Sequence, residues 1–401
     1  MKKLRIGIFI CLALMLVLTP LLSACAGEEA PPKELEIGGI LGLTGPGSEA
    51  LAPFGDGVKA CADWINDKGG LTINGEKYLI KILMEDHRMT PDGAIAAANK
   101  LVYDDKVKFI VGPVIPWFSM AIMQITEEAK VLRCKFSGVG MPEEMNPETP
   151  YLFSAVVETV TLPYIYDYLL EAYPEVKKVA LLCPDEPGAL FAREISKKEA
   201  EARGLTVVFE DAYPFGTEDF YPLWTKIMAA EADALEFGQG FASWYGAILK
   251  QGRELGFEGP ICTFSGGGDP YLVRDIAGPD LATDFFIFDY DLKSPEMPPM
   301  IREIETILSD KYGLELRSDI VFGWMHLWFM TQAIEAAQSL DPTEVAQSWE
   351  KMKSIESPFG TGYVGGLESY GLNHVMVFPQ ALLRIMNGEV EHIKWVIAEL
   401  P

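Results

Sequence analysis

The side chains able to do acid–base or nucleophilic work are few, and their spacing suits none of the familiar chemistries. The four histidines are His87, His326, His374 and His392. None falls in H-E-x-x-H, and there is neither a G-x-S-x-G elbow nor a G-x-x-x-x-G-K-[ST] phosphate loop. His326 lies in Trp324-Met325-His326-Leu327-Trp328-Phe329, apolar surroundings that predict a core histidine. Glu85-Asp86-His87-Arg88 offers charges for a metal or substrate, but it follows a strand-like run directly and reads as a solvated loop. Ser265-Gly266-Gly267-Gly268 is glycine-rich without the spacing of a dinucleotide fold. Cys61, Cys134, Cys183 and Cys262 never form C-x-x-C, so neither a zinc knuckle nor a thioredoxin-like site is signalled. They are either disulfide partners, in one of three pairings, or buried thiols. An enzyme is disfavoured, a hydrolase is kept only as a third reading, and no cofactor or metal is expected.

The elements that must position any site alternate regularly. Leu35–Leu43, Lys77–Met84 and Val107–Val111 read as strands, separated by helical stretches at Phe54–Asp67 and from Pro91 to about Asp104. Lys178–Cys183, Leu205–Phe209, Ala234–Phe237 and Pro260–Phe264 repeat the pattern with helices between them. Short apolar runs, each followed by a helix, are the mark of a parallel sheet covered on both faces. Two such series predict an α/β fold of two doubly wound parallel-sheet lobes. Tyr151–Ala155, Asp284–Asp291 and the segment after Pro358-Phe359-Gly360-Thr361-Gly362 are read as three crossovers. The expected lobes are 35–153 plus 285–355, and 154–284 plus 356–401. Arg317–Ala337 is apolar almost all round, which predicts a buried helix.

The chain has 401 residues, with 33 Lys and Arg against 58 Asp and Glu and a net charge of −25. That balance argues against nucleic acid, whose phosphates need clustered cations, and against passive adhesion to anionic lipid. Lys2, Lys3 and Arg5 precede an apolar run from Ile6 to Leu22, the build of a secretory signal peptide over residues 1–24. Leu22-Ser23-Ala24-Cys25 resembles the bacterial lipobox, which implies that Cys25 is lipidated and heads the mature chain. An ordinary signal peptide with an incidental Cys25 is the plainer alternative. Residues 25–34 read as a tether. The protein is therefore expected outside the cytoplasm, held to a bacterial membrane by lipid alone.

Ile37-Gly38-Gly39-Ile40-Leu41-Gly42-Leu43-Thr44-Gly45-Pro46, then Gly57-Val58-Lys59 and Trp64-Ile65-Asn66-Asp67-Lys68-Gly69-Gly70, resembles the opening of the binding proteins of branched-chain amino acid transporters. Phe109-Ile110-Val111-Gly112-Pro113 and Gln251-Gly252-Arg253-Glu254-Leu255-Gly256 continue the likeness in order. The resemblance implies a type I, two-lobed monomer that closes on a small molecule and docks on ABC permease subunits. A ligand-sensing module for a signalling partner is the alternative.

The positions that hold an amino acid in that family are poorly matched. Pro116 stands where the family offers a serine, and Ser137-Gly138-Val139 where it offers Ala-Ala-Thr. Pro187 replaces an aromatic residue, and the acid expected to pair with an α-ammonium falls near Gly268 or Asp269. Asp269 reads equally as a helix cap before Pro270. Trp117, Phe118, Phe241, Trp244 and Tyr245 cluster at strand-to-helix loops, where aromatic walls suit an apolar or aromatic carboxylate held by helix N-termini.

Overall fold

The computed structural model describes residues 31–400, the side chain of Ser137 excepted. The signal segment, Cys25 and most of the tether lie outside the described residues. The chain opens with β1 (Lys33–Leu41), α1 (Ala52–Asp67), β2 (Leu71–Ile73), β3 (Glu76–Asp86), α2 (Pro91–Asn99), β4 (Phe109–Val111), α3 (Pro116–Glu128), β5 (Leu132–Ser137) and β6 (Leu152–Val157). It continues with α4 (Leu162–Ala172), β7 (Lys178–Pro184), α5 (Pro187–Ala202), β8 (Thr206–Tyr213), α6 (Tyr221–Ala229) and β9 (Ala234–Phe237). Next come α7 (Ala242–Glu254), β10 (Ile261–Thr263), α8 (Pro270–Ala277) and β11 (Phe285–Asp289). The last part holds α9 (Pro299–Ile307), α10 (Ser318–Ala337), α11 (Pro342–Trp349), β12 (Ile355–Ser357), β13 (Gly360–Gly365), β14 (Val375–Val377), β15 (Gln380–Met386) and β16 (Glu389–Val396).

The strands form two sheets, in the orders β12-β13-β14-β6-β5-β4-β1-β3-β2 and β16-β15-β11-β10-β9-β7-β8. The first sheet is parallel at its centre and antiparallel at both edges, and the second is parallel from β11 to β8 and antiparallel at its β15–β16 edge, so each sheet is mixed. Every residue of β6, β9, β10 and β11 is buried, because helices cover both faces of the parallel centre. Helices begin where a proline can stand in the first turn without losing a hydrogen bond, as at Pro91, Pro116, Pro187, Pro270 and Pro342. Helix α10 is buried along most of its length and crosses α1 at very close range. A Cβ on Gly57 would lie 1.9 Å from the Ile320 carbonyl oxygen, and one on Gly323 would lie 2.0 Å from that of Phe54.

The sheet topology corrects the expected boundaries. β6 belongs wholly to the first sheet, so the chain leaves that lobe after Val157 rather than at 154. β11 pairs with β10 and β15 in the second sheet, so residues 285–289 fall in the lobe opposite to the one expected. Residues 355–377 likewise belong to the first sheet, and the third crossover runs through Phe378-Pro379. Pro358–Gly362, after which the sequence places that crossover, is the turn and start of the second strand of the β12–β13 hairpin, with Ser357 facing Gly360. The four cysteines are free thiols, all buried.

Candidate ligand-binding cleft

The carboxyl ends of both parallel sheets face one cleft, the position where open α/β sheets leave a crevice. The first lobe contributes Phe54, Val114, Ile115, Pro116, Phe136 and Gly138. Glu158, on the first crossover, sits at its base. From the second lobe come Pro184, Glu186, Phe215, Gln239, Gly240, Phe241, Trp244 and the Ser265–Gly267 turn. With the solvent at its mouth, the cleft holds about 510 Å³ of atom-free space. A second hollow shares Ile115, Glu186 and Phe215 with it and adds Pro46, Met89, Trp117 and Phe118. Trp117 stands 44% exposed at this outer rim.

The lobes touch across the cleft. Gly188, in the first turn of α5, lies so near the first lobe that a Cβ there would stand 2.8 Å from Pro116 Cγ and 2.9 Å from Val139 Cγ2. On Gly47 of the first lobe it would stand 2.9 Å from Phe215 Cε1. Phe215, Phe241 and Trp244 form an edge-to-face cluster, with the Phe215 and Trp244 rings 4.8 Å apart. Such pairs are rigid and apolar, and they give the second lobe's wall a fixed shape.

No Lys or Arg lines the cleft, yet two buried carboxyl groups do. Glu158 Oε2 accepts from Ser265 Oγ at 2.8 Å and its Oε1 from the Gly266 N–H at 2.5 Å, and the Gln239 carboxamide stands beside the same group. Burial pushes its pKa up to about 8. Glu186 caps α5, accepting from the N–H groups of Gly188 and Ala189, and burial raises it to about 7. Burial raises Asp289 as well, to about 7; its carboxylate accepts from the Gly268 and Asp269 N–H groups behind the Ser265–Gly267 turn. The N-termini of α3 and α7, one from each lobe, have Ile115 and Phe241 at the N-cap and no side-chain cap. Their free N–H groups and dipoles favour an anion.

Of the residues singled out from the sequence, Pro116, Gly138, Phe241 and Trp244 line the cleft, and Trp117 and Phe118 line the outer hollow. Val139 is buried in the core against Gly188 rather than at the cleft surface, and the side chain of Ser137 is outside the described residues. Pro187 opens α5 and lines neither hollow. Asp269 is a cap: its Oδ1 accepts from the N–H groups of Tyr271 and Leu272 at 3.1 and 3.2 Å. Tyr245 is fully buried, its hydroxyl 3.2 Å from Thr263 Oγ1. His326 is a core residue, with Nδ1 2.9 Å from the Phe322 carbonyl. His87 is not solvated as expected but buried, its ring 4.1 Å from that of Phe118. Sequence reasoning missed Phe54, Phe136, Glu158, Glu186, Phe215, Gln239 and Ser265–Gly267. Ser265 follows a strand directly, a signal that was set aside only for lacking nucleotide spacing.

Two mixed α/β lobes joined by three crossovers around a largely apolar cleft are the build of a binding protein. Residues 34–386 match the periplasmic binding protein family, to which the chain belongs. It is 25% identical to an amino acid binding protein of Pseudomonas aeruginosa, over 80% of this chain and 84% of that one. Among solved structures, the branched-chain amino acid transporter substrate-binding protein LivJ of Streptococcus pneumoniae, in complex with isoleucine, superposes with a TM-score of 0.76 at 20% identity. That match covers 91% of this chain and all of that one (100%). A solute-binding protein of an ABC transporter from R. palustris, in complex with 4-hydroxybenzoate, superposes with a TM-score of 0.75 at 20% identity, over 91% and 98% of the two chains. Identities this low establish the shared fold. The family places the chain with the extracytoplasmic substrate-binding proteins of ABC transporters.

Proposed function

We propose that this chain is a lipid-anchored receptor, tethered through Cys25, that closes on an apolar or aromatic carboxylate and hands it to an ABC importer of the branched-chain amino acid type. The observation that carries the reading is the composition of the cleft. Its walls are aromatic and apolar on both lobes, it has no basic side chain, and its anion-favouring groups are the uncapped ends of α3 and α7. Phe54 and Phe136 of the first lobe and the Phe215–Phe241–Trp244 cluster of the second supply the aromatic surface for such a ring. Contacts to both lobes favour the closed state, and no chemistry is required of the protein. The 4-hydroxybenzoate complex of a protein with this fold supports the ligand class.

A branched-chain amino acid is the competing reading, and Glu158 is the observation in its favour, since a buried carboxylate could receive an ammonium group. Its oxygens are already engaged by Ser265 and Gly266, and the Gln239 side chain stands beside it, which weighs against it. Thermal-shift and calorimetric titration with benzoate, 4-hydroxybenzoate, leucine and isoleucine separates the two. An aromatic acid at a hundred times its Kd should add about 2.7 kcal/mol of stability. A response to leucine or isoleucine alone would overturn the carboxylate reading.

A further inference from the structure

We propose that Gln239 is a built-in plug: its carboxamide fills the space at the polar end of the cleft that an α-amino group would need, and so excludes α-amino acids. The inference rests on the ligand reading above and deepens it by naming the residue that sets the choice. Gln239 stands on the loop after β9, in the second lobe, yet its side chain reaches the first lobe. A Cβ placed on Gly138, at the end of β5, would lie 1.5 Å from Gln239 Nε2 and 2.5 Å from Glu158 Oε2. Only a residue without a side chain at 138 leaves room for the amide there. The close approach is thus a matched pair, a glycine on one lobe and a glutamine on the other, meeting beside Glu158.

The neighbours of Glu158 agree with the steric reading. Its oxygens receive the Ser265 hydroxyl and the Gly266 N–H, and the Gln239 carboxamide occupies the space beside Oε2. An amino acid entering the closed cleft would have to break the Gln239 contact and expel its amide from between Gly138 and Glu158. A carboxylate without an amino group does neither. It occupies the aromatic part of the cleft and leaves the plug seated.

The test compares Gln239→Ala, Gln239→Met and the unaltered protein in titrations with leucine and with benzoate. Gln239→Ala empties the space beside Glu158, so leucine affinity should rise at least about tenfold, and by more than benzoate affinity does. Gln239→Met keeps the volume and should leave leucine excluded. The plug is refuted if Gln239→Ala leaves leucine affinity unchanged or lowers it, or if Gln239→Met admits leucine as well as Gln239→Ala does. Melting curves of the ligand-free variants establish that both are folded. If benzoate fails to bind any form but Gln239→Ala gains leucine, the carboxylate reading falls while the plug stands.

Discussion

Glu158 and Glu186 each face a cleft without a cation, and their protonation sets how a carboxylate is received. Glu158 faces Ser265, Gly266 and Gln239, with Asp289 behind them; Glu186 faces its own helix N-terminus and the buried Lys135–Glu144 pair. With pKa values of about 8 and about 7, both are mostly neutral at pH 6 and ionised by pH 9. Affinity for a carboxylate should therefore fall as pH rises across that window, by about tenfold or more, and Glu158→Gln should flatten the upper part of the fall; isothermal titration at a series of pH values reads both. The stability sign is the same. Folded-state values above the ordinary carboxyl value lend stability at acidic pH that is lost as pH climbs through about 7 and 8. These acids were not legible in the sequence. Val157-Glu158-Thr159 looks like any polar break after a strand, and burial of a charge is decided by elements distant along the chain. Phe241 and Trp244 were legible because they stand at a strand-to-helix loop, which is where an α/β cleft forms, and Pro116 because the family resemblance aligns it with a ligand-binding serine.

The alternation of strands and helices was readable throughout the two series because fully buried parallel strands leave short apolar runs. What it could not supply was sheet membership. Residues 355–365 carry glycines and a proline that suit a crossover and a hairpin equally, and only pairing with β14 decides between them. The crossing of α1 and α10 was also hidden, since a glycine in a helix signals close approach only once its partner is known. Gly57→Ala should cost about 1–3 kcal/mol or more, because its Cβ would meet the backbone oxygen of Ile320 rather than a side chain that can move. Urea unfolding of the variant measures the loss, and an unchanged midpoint would mean that the two helices separate freely.

Closure is a property of the whole molecule, and Gly188 reports on it from where the lobes touch, without itself lining the cleft. Valine there adds bulk against Pro116 and Val139 of the other lobe while leaving each sheet intact. The expected outcome is an affinity lowered by about tenfold or more, with a saturated protein whose radius of gyration by small-angle scattering stays that of the open form. Unchanged affinity would mean that the lobes need not meet at α5 for capture.

Cys61, Cys134, Cys183 and Cys262 are sealed within the lobes as free thiols, and burial holds each above its ordinary ionisation range. With these four thiols unpaired, neither described lobe needs an oxidant to reach its fold. Each sulfur meets a reagent only when its own lobe unfolds, two in the first and two in the second, so the same four atoms that contribute nothing to binding keep separate time for the opening of the two halves.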